Sequence, residues 1–195
     1  MGYFDSEKNV QEYIKMVEEY NATELINILR KYLKEESTLL ELGMGPGKDL
    51  DILREYYKVT GSDSSQIFVN RYKKIHPESD ILQIDATDIK IQQKFDCIFS
   101  NKVLIHLTKE ECKSSFKQQK NILNPKGILF HTFWYGTKTE KYNDLLFTYY
   151  TEDELRNMIK EDYDIITIKR YTEDKKDDSF LIICKERINH LNHNQ

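Results

Sequence analysis

The sequence predicts a doubly wound α/β domain, and three observations carry that prediction. Thr38 to Leu50 reads as a buried strand, a glycine turn and a helix start. Leu39, Leu40 and Leu42 suit a strand covered on both faces, while Gly43, Gly45 and Gly47 let the backbone turn sharply against a ligand. From there to Trp134, strands and helices alternate over short links, which implies a parallel sheet with right-handed crossovers. Near the end the alternation breaks. Tyr163–Lys169 and Phe180–Lys185 are joined by the polar run from Tyr171 to Ser179, too polar for a crossover helix, so the pair should be an antiparallel hairpin.

Each element has its own local signal. Ser6 to Leu33 reads as two helices. The first presents Val10, Tyr13, Ile14 and Val17, and the second starts at Asn21 with Glu24 completing a capping box. After the glycine turn come a helix through Leu50, Leu53 and Tyr57 and a strand from Lys58 to Ser62. Ser64 or Ser65 then caps a helix of Ile67, Phe68, Tyr72 and Ile75, and His76-Pro77 ends it. Strands follow at Asp80–Ile84 and Phe95–Ser100. Thr108 and Glu111 form a capping box for a helix carrying Cys112, Phe116 and Gln119. Asn124-Pro125-Lys126-Gly127 reads as a turn before the strand Ile128–Trp134. Thr151 and Glu154 cap a helix of Leu155, Met158 and Ile159. The expected organisation is a helical cover or lid over 1–37, one core over 38–187 and a frayed polar tail over 188–195, whose His190 and His193 suggest no metal site.

Composition narrows the partners. The chain has 195 residues with 29 basic and 33 acidic side chains, a net charge of −4. No basic excess is present to hold nucleic acid by its phosphates. Three cysteines at unrelated spacings give neither a disulfide framework nor a zinc pattern, which fits a reducing cytoplasm. There is no secretory signal and no apolar run of membrane-spanning length. The start Met1-Gly2-Tyr3-Phe4-Asp5-Ser6 meets the loose myristoylation pattern, and Asn21-Ala22-Thr23 is a glycosylation sequon by letter only. Oligomeric state is not set by the sequence.

Charge at the glycine turn narrows the ligand. A dinucleotide rests its pyrophosphate on the helix N-terminus, but here Asp49 and Asp51 stand in the first turn against a single Lys48. The spacing Gly43-x-Gly45-x-Gly47 also differs from the dinucleotide fingerprint G-x-G-x-x-G. Three successive strands end near acids: Glu41, Asp63 and Asp85. Such carboxylates suit a ligand with positive charge, diol hydroxyls and an amine donor, as S-adenosylmethionine has. Asp63 follows Gly43 by twenty residues, the distance at which an acid meets ribose hydroxyls in such folds.

The segments Glu41-Leu42-Gly43-Met44-Gly45-Pro46-Gly47, Asp63, Asp85-Ala86 and Phe95-Asp96-Cys97-Ile98-Phe99-Ser100 resemble, in order and spacing, the motifs of class I S-adenosylmethionine-dependent methyltransferases. The resemblance spans Leu39 to Lys185. It implies a Rossmann-like sheet of about seven strands with the last antiparallel and helices on both faces. It also implies that S-adenosylmethionine, and the product S-adenosylhomocysteine, are held by Glu41, Gly43, Met44, Gly45, Gly47, Asp63, Ser64, Asp85, Ala86, Asn101 and Lys102. In that family Glu41 would serve the methionyl ammonium, Asp63 the ribose, and Asp85 with the Ala86 backbone the adenine amine. The segment Ser100 to Leu107 would flank the transferable methyl.

The motif of amino-methylating nucleic-acid and glutamine enzymes (Asn/Asp-Pro-Pro-Tyr) is absent, as is the Pro-Cys of cytosine-carbon methylation, so those two nucleic-acid classes are not expected. The resemblance is read as one to enzymes acting on a small-molecule acceptor, at oxygen or nitrogen rather than carbon. Cys97, inside a strand, reads as core. Proton removal, where an acceptor requires it, falls to His106 or His131, each of which could equally be a satisfied structural histidine. Phe133, Trp134, Tyr135, Tyr149 and Tyr150 are core by residue type but follow strand five, where an aromatic-walled pocket could form. Two rivals stand beside this reading: a nicotinamide-dependent oxidoreductase, and a non-catalytic binding protein that keeps only the fold.

Overall fold

The computed structural model describes residues 2–187. The tail expected over 188–195, with His190 and His193, lies outside the described residues. The main sheet has seven strands: β1 (Thr38–Leu42), β2 (Lys58–Asp63), β3 (Ile81–Gln83), β4 (Phe95–Asn101), β5 (Leu123–Trp134), β8 (Tyr163–Tyr171) and β9 (Ser179–Glu186). Their order is β3-β2-β1-β4-β5-β9-β8. The first five pair in parallel, and β9 runs antiparallel between β5 and β8. The expected seven-stranded sheet with an antiparallel last strand is what forms.

Apolar side chains alternate across this sheet into two cores. Leu39, Phe99, Phe130 and Leu181 bury against α2 (Thr23–Leu29) and α3 (Lys48–Leu53). Leu40, Ile98, Leu129 and Ile182 bury against α5 (Lys109–Asn121) and α6 (Glu152–Ile159). Both faces are covered, as the near-continuous apolar strands require. Full burial of one such leucine or phenylalanine contributes about 1.5–3 kcal/mol. The capping boxes at Thr108/Glu111 and Thr151/Glu154 both form. α4 (Gln66–Ile75) packs Val69 and Tyr72 against Leu50, Met44 and Ile81.

Four local expectations need correction. The cap of α2 is Ala22 rather than Asn21, whose Oδ1 instead accepts the Thr23 N–H at 2.7 Å. Ser65 is the N-cap of α4 but gives no side-chain cap, because its Oγ donates to the Phe4 carbonyl at 2.7 Å. Asn124 to Gly127 is an irregular part of β5 rather than a free turn: the β4–β5 register shifts between Phe95 and Cys97, and Lys126 takes φ +70°. Between Trp134 and Thr151 a second, unpredicted sheet forms, the hairpin β6 (Thr139–Tyr142) and β7 (Leu145–Thr148). Asn143 and Asp144, both at positive φ, make its two-residue loop.

The N-terminal cover is not one unit. α2 buries Leu25, Ile26 and Leu29 and belongs to the core. α1 (Glu7–Met16) buries only Val10. A 3₁₀ turn at Tyr3–Asp5 precedes it, and Phe4 rests between the rings of Tyr13 and Phe68 at 5.2 and 5.6 Å.

Candidate functional site

β1 ends and the chain reverses through Gly43 (φ +70°) and Gly45 (φ +52°), backbone that side-chain-bearing residues seldom adopt. A Cβ on Gly43 would stand 2.5 Å from Val103. Asp63, at the end of β2, fixes the turn: its Oδ2 accepts the Gly45 N–H at 2.9 Å and its Oδ1 the Ser65 N–H at 2.8 Å. Burial raises the Asp63 pKa, and those two N–H groups oppose the rise. Asp85, beyond β3, is exposed. Its Oδ1 holds the Thr87 N–H and hydroxyl at 2.8 and 2.7 Å.

These groups line a cleft of about 380 Å³. The expected residues it brings together are Gly43, Gly45, Asp63, Ser64, Asp85, Ala86, Asn101, Lys102 and His106. Tyr3, Phe4 and Tyr13 from the N-terminal segment and Leu145 from β7 complete the lining. That volume is in the range of small-molecule sites.

Four expected residues do not line it. The Met44 side chain packs into the α3–α4 core, and only its backbone follows the turn. Gly47 is a packing requirement, since a Cβ there would lie 2.1 Å from the Tyr72 ring. Glu41 is 2% exposed, and its Oε2 has no partner. Burial, then the charges of Asp49, Asp63 and Asp51, push its pKa well above the carboxylate range. His131 is fully buried on the α5 face. Its Nδ1 pairs with Ser100 Oγ at 2.8 Å, its Nε2 with Gln119 Oε1 at 2.9 Å, and Phe116 meets its ring edge-on. Burial lowers its pKa to about 3. With both nitrogens occupied and no access to the cleft, His131 is a core residue, which corrects its candidacy as a base.

His106 is different. It sits on a 3₁₀ turn (Leu104–His106) after β4, half-buried, with Nδ1 2.7 Å from the Leu146 carbonyl of β7. A carbonyl only accepts, so Nδ1 carries the proton and Nε2 is left as the basic nitrogen. Burial lowers the His106 pKa, with the Leu146 carbonyl opposing, so the ring is neutral near pH 7.

Lys102 lines the cleft, but its ammonium does not face it. Nζ donates to Glu173 Oε2 at 3.0 Å and Ser179 Oγ at 2.7 Å, and lies 3.5 Å from the Trp134 ring centre. Burial lowers its pKa to about 8, with Glu173 opposing. Asn101 is the hub of a polar seam. Its Nδ2 reaches Asp49 Oδ2 at 2.8 Å and Tyr20 Oη at 2.5 Å, and its Oδ1 accepts from Thr132 Oγ1 at 2.6 Å. Burial raises the Asp49 pKa to about 6, against the Asn101 bond and the Lys48 charge. The sequence reads Asp49 as a first-turn charge that suits the helix dipole and repels a diphosphate, and it gives no sign of the network with Thr132 and Tyr20.

A family described as a methyltransferase domain matches residues 39–127. Its fold is that of the class I methyltransferases. A phosphoethanolamine N-methyltransferase of Plasmodium falciparum is 26% identical over 148 residues, 72% of this chain and 52% of that protein. The chain therefore spans about half the length of the curated relative it matches. An S-adenosylmethionine-dependent methyltransferase of Clostridium acetobutylicum superposes with a TM-score of 0.73 at 15% identity, covering 91% of this chain and 97% of that one. The Burkholderia thailandensis 1,6-didemethyltoxoflavin-N1-methyltransferase, with that compound and S-adenosylhomocysteine bound, superposes with a TM-score of 0.71 at 16% identity, over 83% and 75% of the two chains.

The residues present fit the carrier of such a methyltransferase domain. Gly43 and Gly45 open the turn to the cleft, Asp85 keeps one carboxylate oxygen unengaged, and Glu41 offers a buried, unpartnered acceptor. Among the described residues, no helix is long and apolar enough to cross a membrane.

Proposed function

We propose that this chain transfers a methyl group from S-adenosylmethionine to a small molecule, at nitrogen or oxygen, in the cleft between the glycine turn and His106. The supporting observation is that one cleft joins the three elements required: the glycine turn with Asp63, the Asp85–Ala86 end, and a neutral histidine with a basic Nε2. When bound, S-adenosylmethionine supplies an already activated sulfonium methyl. The protein's own work is then alignment and exclusion of water. Asp63 would orient the ribose, Asp85 and the Ala86 backbone the adenine, and Glu41 the methionyl ammonium. Tyr3, Phe4 and Tyr13 would roof the cleft. His106 Nε2 would accept a proton from an acceptor that must lose one. The cytoplasm is the compartment this reading expects.

The curated relative's name makes nitrogen the first acceptor atom to test. The nicotinamide rival is disfavoured by the buried Asp49 in the first turn of α3. Calorimetry separates them. S-adenosylhomocysteine should bind at micromolar levels, on the order of −8 kcal/mol. Saturable NAD binding with no response to the sulfur ligand would overturn the proposal.

A further inference from the structure

The residues that distinguish this cleft come from outside the matched stretch 39–127. They are Tyr3, Phe4 and Tyr13 of the N-terminal segment and Leu145 of β7. Gly2 and Asp5 join them from the N-terminal segment, and apart from Asp5 the added side chains are aromatic or apolar. β7 is fastened to the His106 turn by the Leu146 carbonyl, by Phe147 edge-on to the His106 ring at 5.0 Å, and by Thr148 Oγ1 donating to the Leu107 carbonyl at 2.8 Å. Leu145, next in the chain, lines the same cleft as His106.

Charge in the cleft is one-sided. Asp5 and Glu111 are acids of the lining beside Asp63 and Asp85, the two acids assigned above to the carrier. Every lysine and arginine of the chain lies within the described residues, and the cleft draws only Lys102 from them. Its ammonium is turned away, bonded to Glu173 and Ser179 over Trp134. An acceptor bearing a phosphate would lose its hydration and find like charge instead of a paired cation, which is costly.

We propose that the acceptor is a neutral or cationic molecule with an apolar body, and that phosphate-bearing acceptors are disfavoured because the ammonium of Lys102 is held out of the cleft by Glu173. This rests on the methyltransferase reading above. It departs from a phosphoethanolamine-like acceptor, because that molecule carries a phosphate.

Calorimetry on the full chain, free and loaded with S-adenosylhomocysteine, tests it with 2-phenylethylamine and phosphoethanolamine as probes. Running both forms reads the preference whether or not the carrier binds, so failure of the carrier reading is visible separately. The expected result is saturable binding of 2-phenylethylamine, with phosphoethanolamine at least about tenfold weaker. Leu145→Lys, which places an ammonium on the lining, should then strengthen phosphoethanolamine binding about tenfold. Phosphoethanolamine binding within tenfold of the arylalkylamine, or no measurable binding of the arylalkylamine, overturns the proposal, as does no gain in a folded Leu145→Lys protein.

Discussion

The Gly45 N–H donates to Asp63 Oδ2 at 2.9 Å, so the acid at the end of β2 sets the shape of the turn at the end of β1. Its other oxygen holds the Ser65 N–H at the start of α4. One carboxylate therefore ties together the glycine turn, the second strand and the next helix before any ligand arrives. Asp63→Asn leaves one of those N–H groups facing an amide N–H. The expected cost is about 1–3 kcal/mol of stability, read from denaturant midpoints. Affinity for S-adenosylhomocysteine should fall at least about tenfold. A variant that binds as tightly as the parent would place the ribose elsewhere.

His131 gives the fold a pH dependence on the acid side. Its pKa is about 3 in the folded chain, below the ordinary 6.5, because burial opposes the charge. A histidine lowered in this way contributes stability that is complete above 6.5 and is lost as pH falls from there toward 3. The loss runs at up to roughly 1.4 kcal/mol per pH unit. Asp49 works in the opposite sense. Its pKa is raised to about 6, so its contribution is present at low pH and is lost as pH rises through 6. Comparing wild type with His131→Gln isolates the histidine: the stability gap should narrow as pH drops from 7 to 4.5. A gap constant with pH would mean that His131 does not stay neutral.

His106 should govern the acid limb of turnover, once an acceptor that loses a proton is in hand. Its pKa lies below 6.5, so the rate should fall as Nε2 protonates at lower pH. His106→Asn should lose about a hundredfold in rate and the limb with it. His131→Asn should keep the limb, since its nitrogens do not reach the cleft. Equal pH profiles for wild type and His106→Asn would leave positioning alone to do the chemistry.

The N-terminal cover should divide in hydrogen exchange. α1 and its flanks are attached at few points: Arg71 to Glu7 in α1, Lys48 Nζ to the Val17 and Glu18 carbonyls, Asn101 to Tyr20, and Ser65 to the Phe4 carbonyl. α2 is buried in the sheet core. Adding S-adenosylhomocysteine should slow exchange over residues 2–20 while leaving α2 unchanged. Matching protection in both segments, with or without ligand, would make the whole region a fixed cover.

The parallel strands, the antiparallel β9 and the glycine turn were legible because their signals are local. Leu39 to Gly47 and the two capping boxes say what they will form without reference to distant residues. His131 was not legible for the same reason β5 was. Phe130 and Thr132 face one core, and Leu129, His131 and Phe133 face the other. A strand buried on both faces has no polar–apolar alternation to reveal which way a given side chain points. Glu41 was placed correctly as a strand-end acid, but its raised pKa depends on its burial and then on the charge of Asp49. Asp49 in turn owes its setting to Asn101, 52 residues away. The β6–β7 hairpin was readable: Asn143-Asp144 between Tyr142 and Leu145 is a two-residue turn signal that the sequence analysis passed over.

The central claim is that Asp63, Asp85 and the glycine turn hold one S-adenosyl ligand whose sulfur end points toward His106. A crystal structure of the full chain grown with S-adenosylhomocysteine tests it most directly. The account predicts ribose hydroxyls within hydrogen-bonding distance of Asp63, the adenine amine at Asp85 beside the Ala86 backbone, and the sulfur on the Val103–His106 side of the cleft. Clear ligand density elsewhere on the molecule, or in this cleft with the adenine at the His106 end, would contradict it.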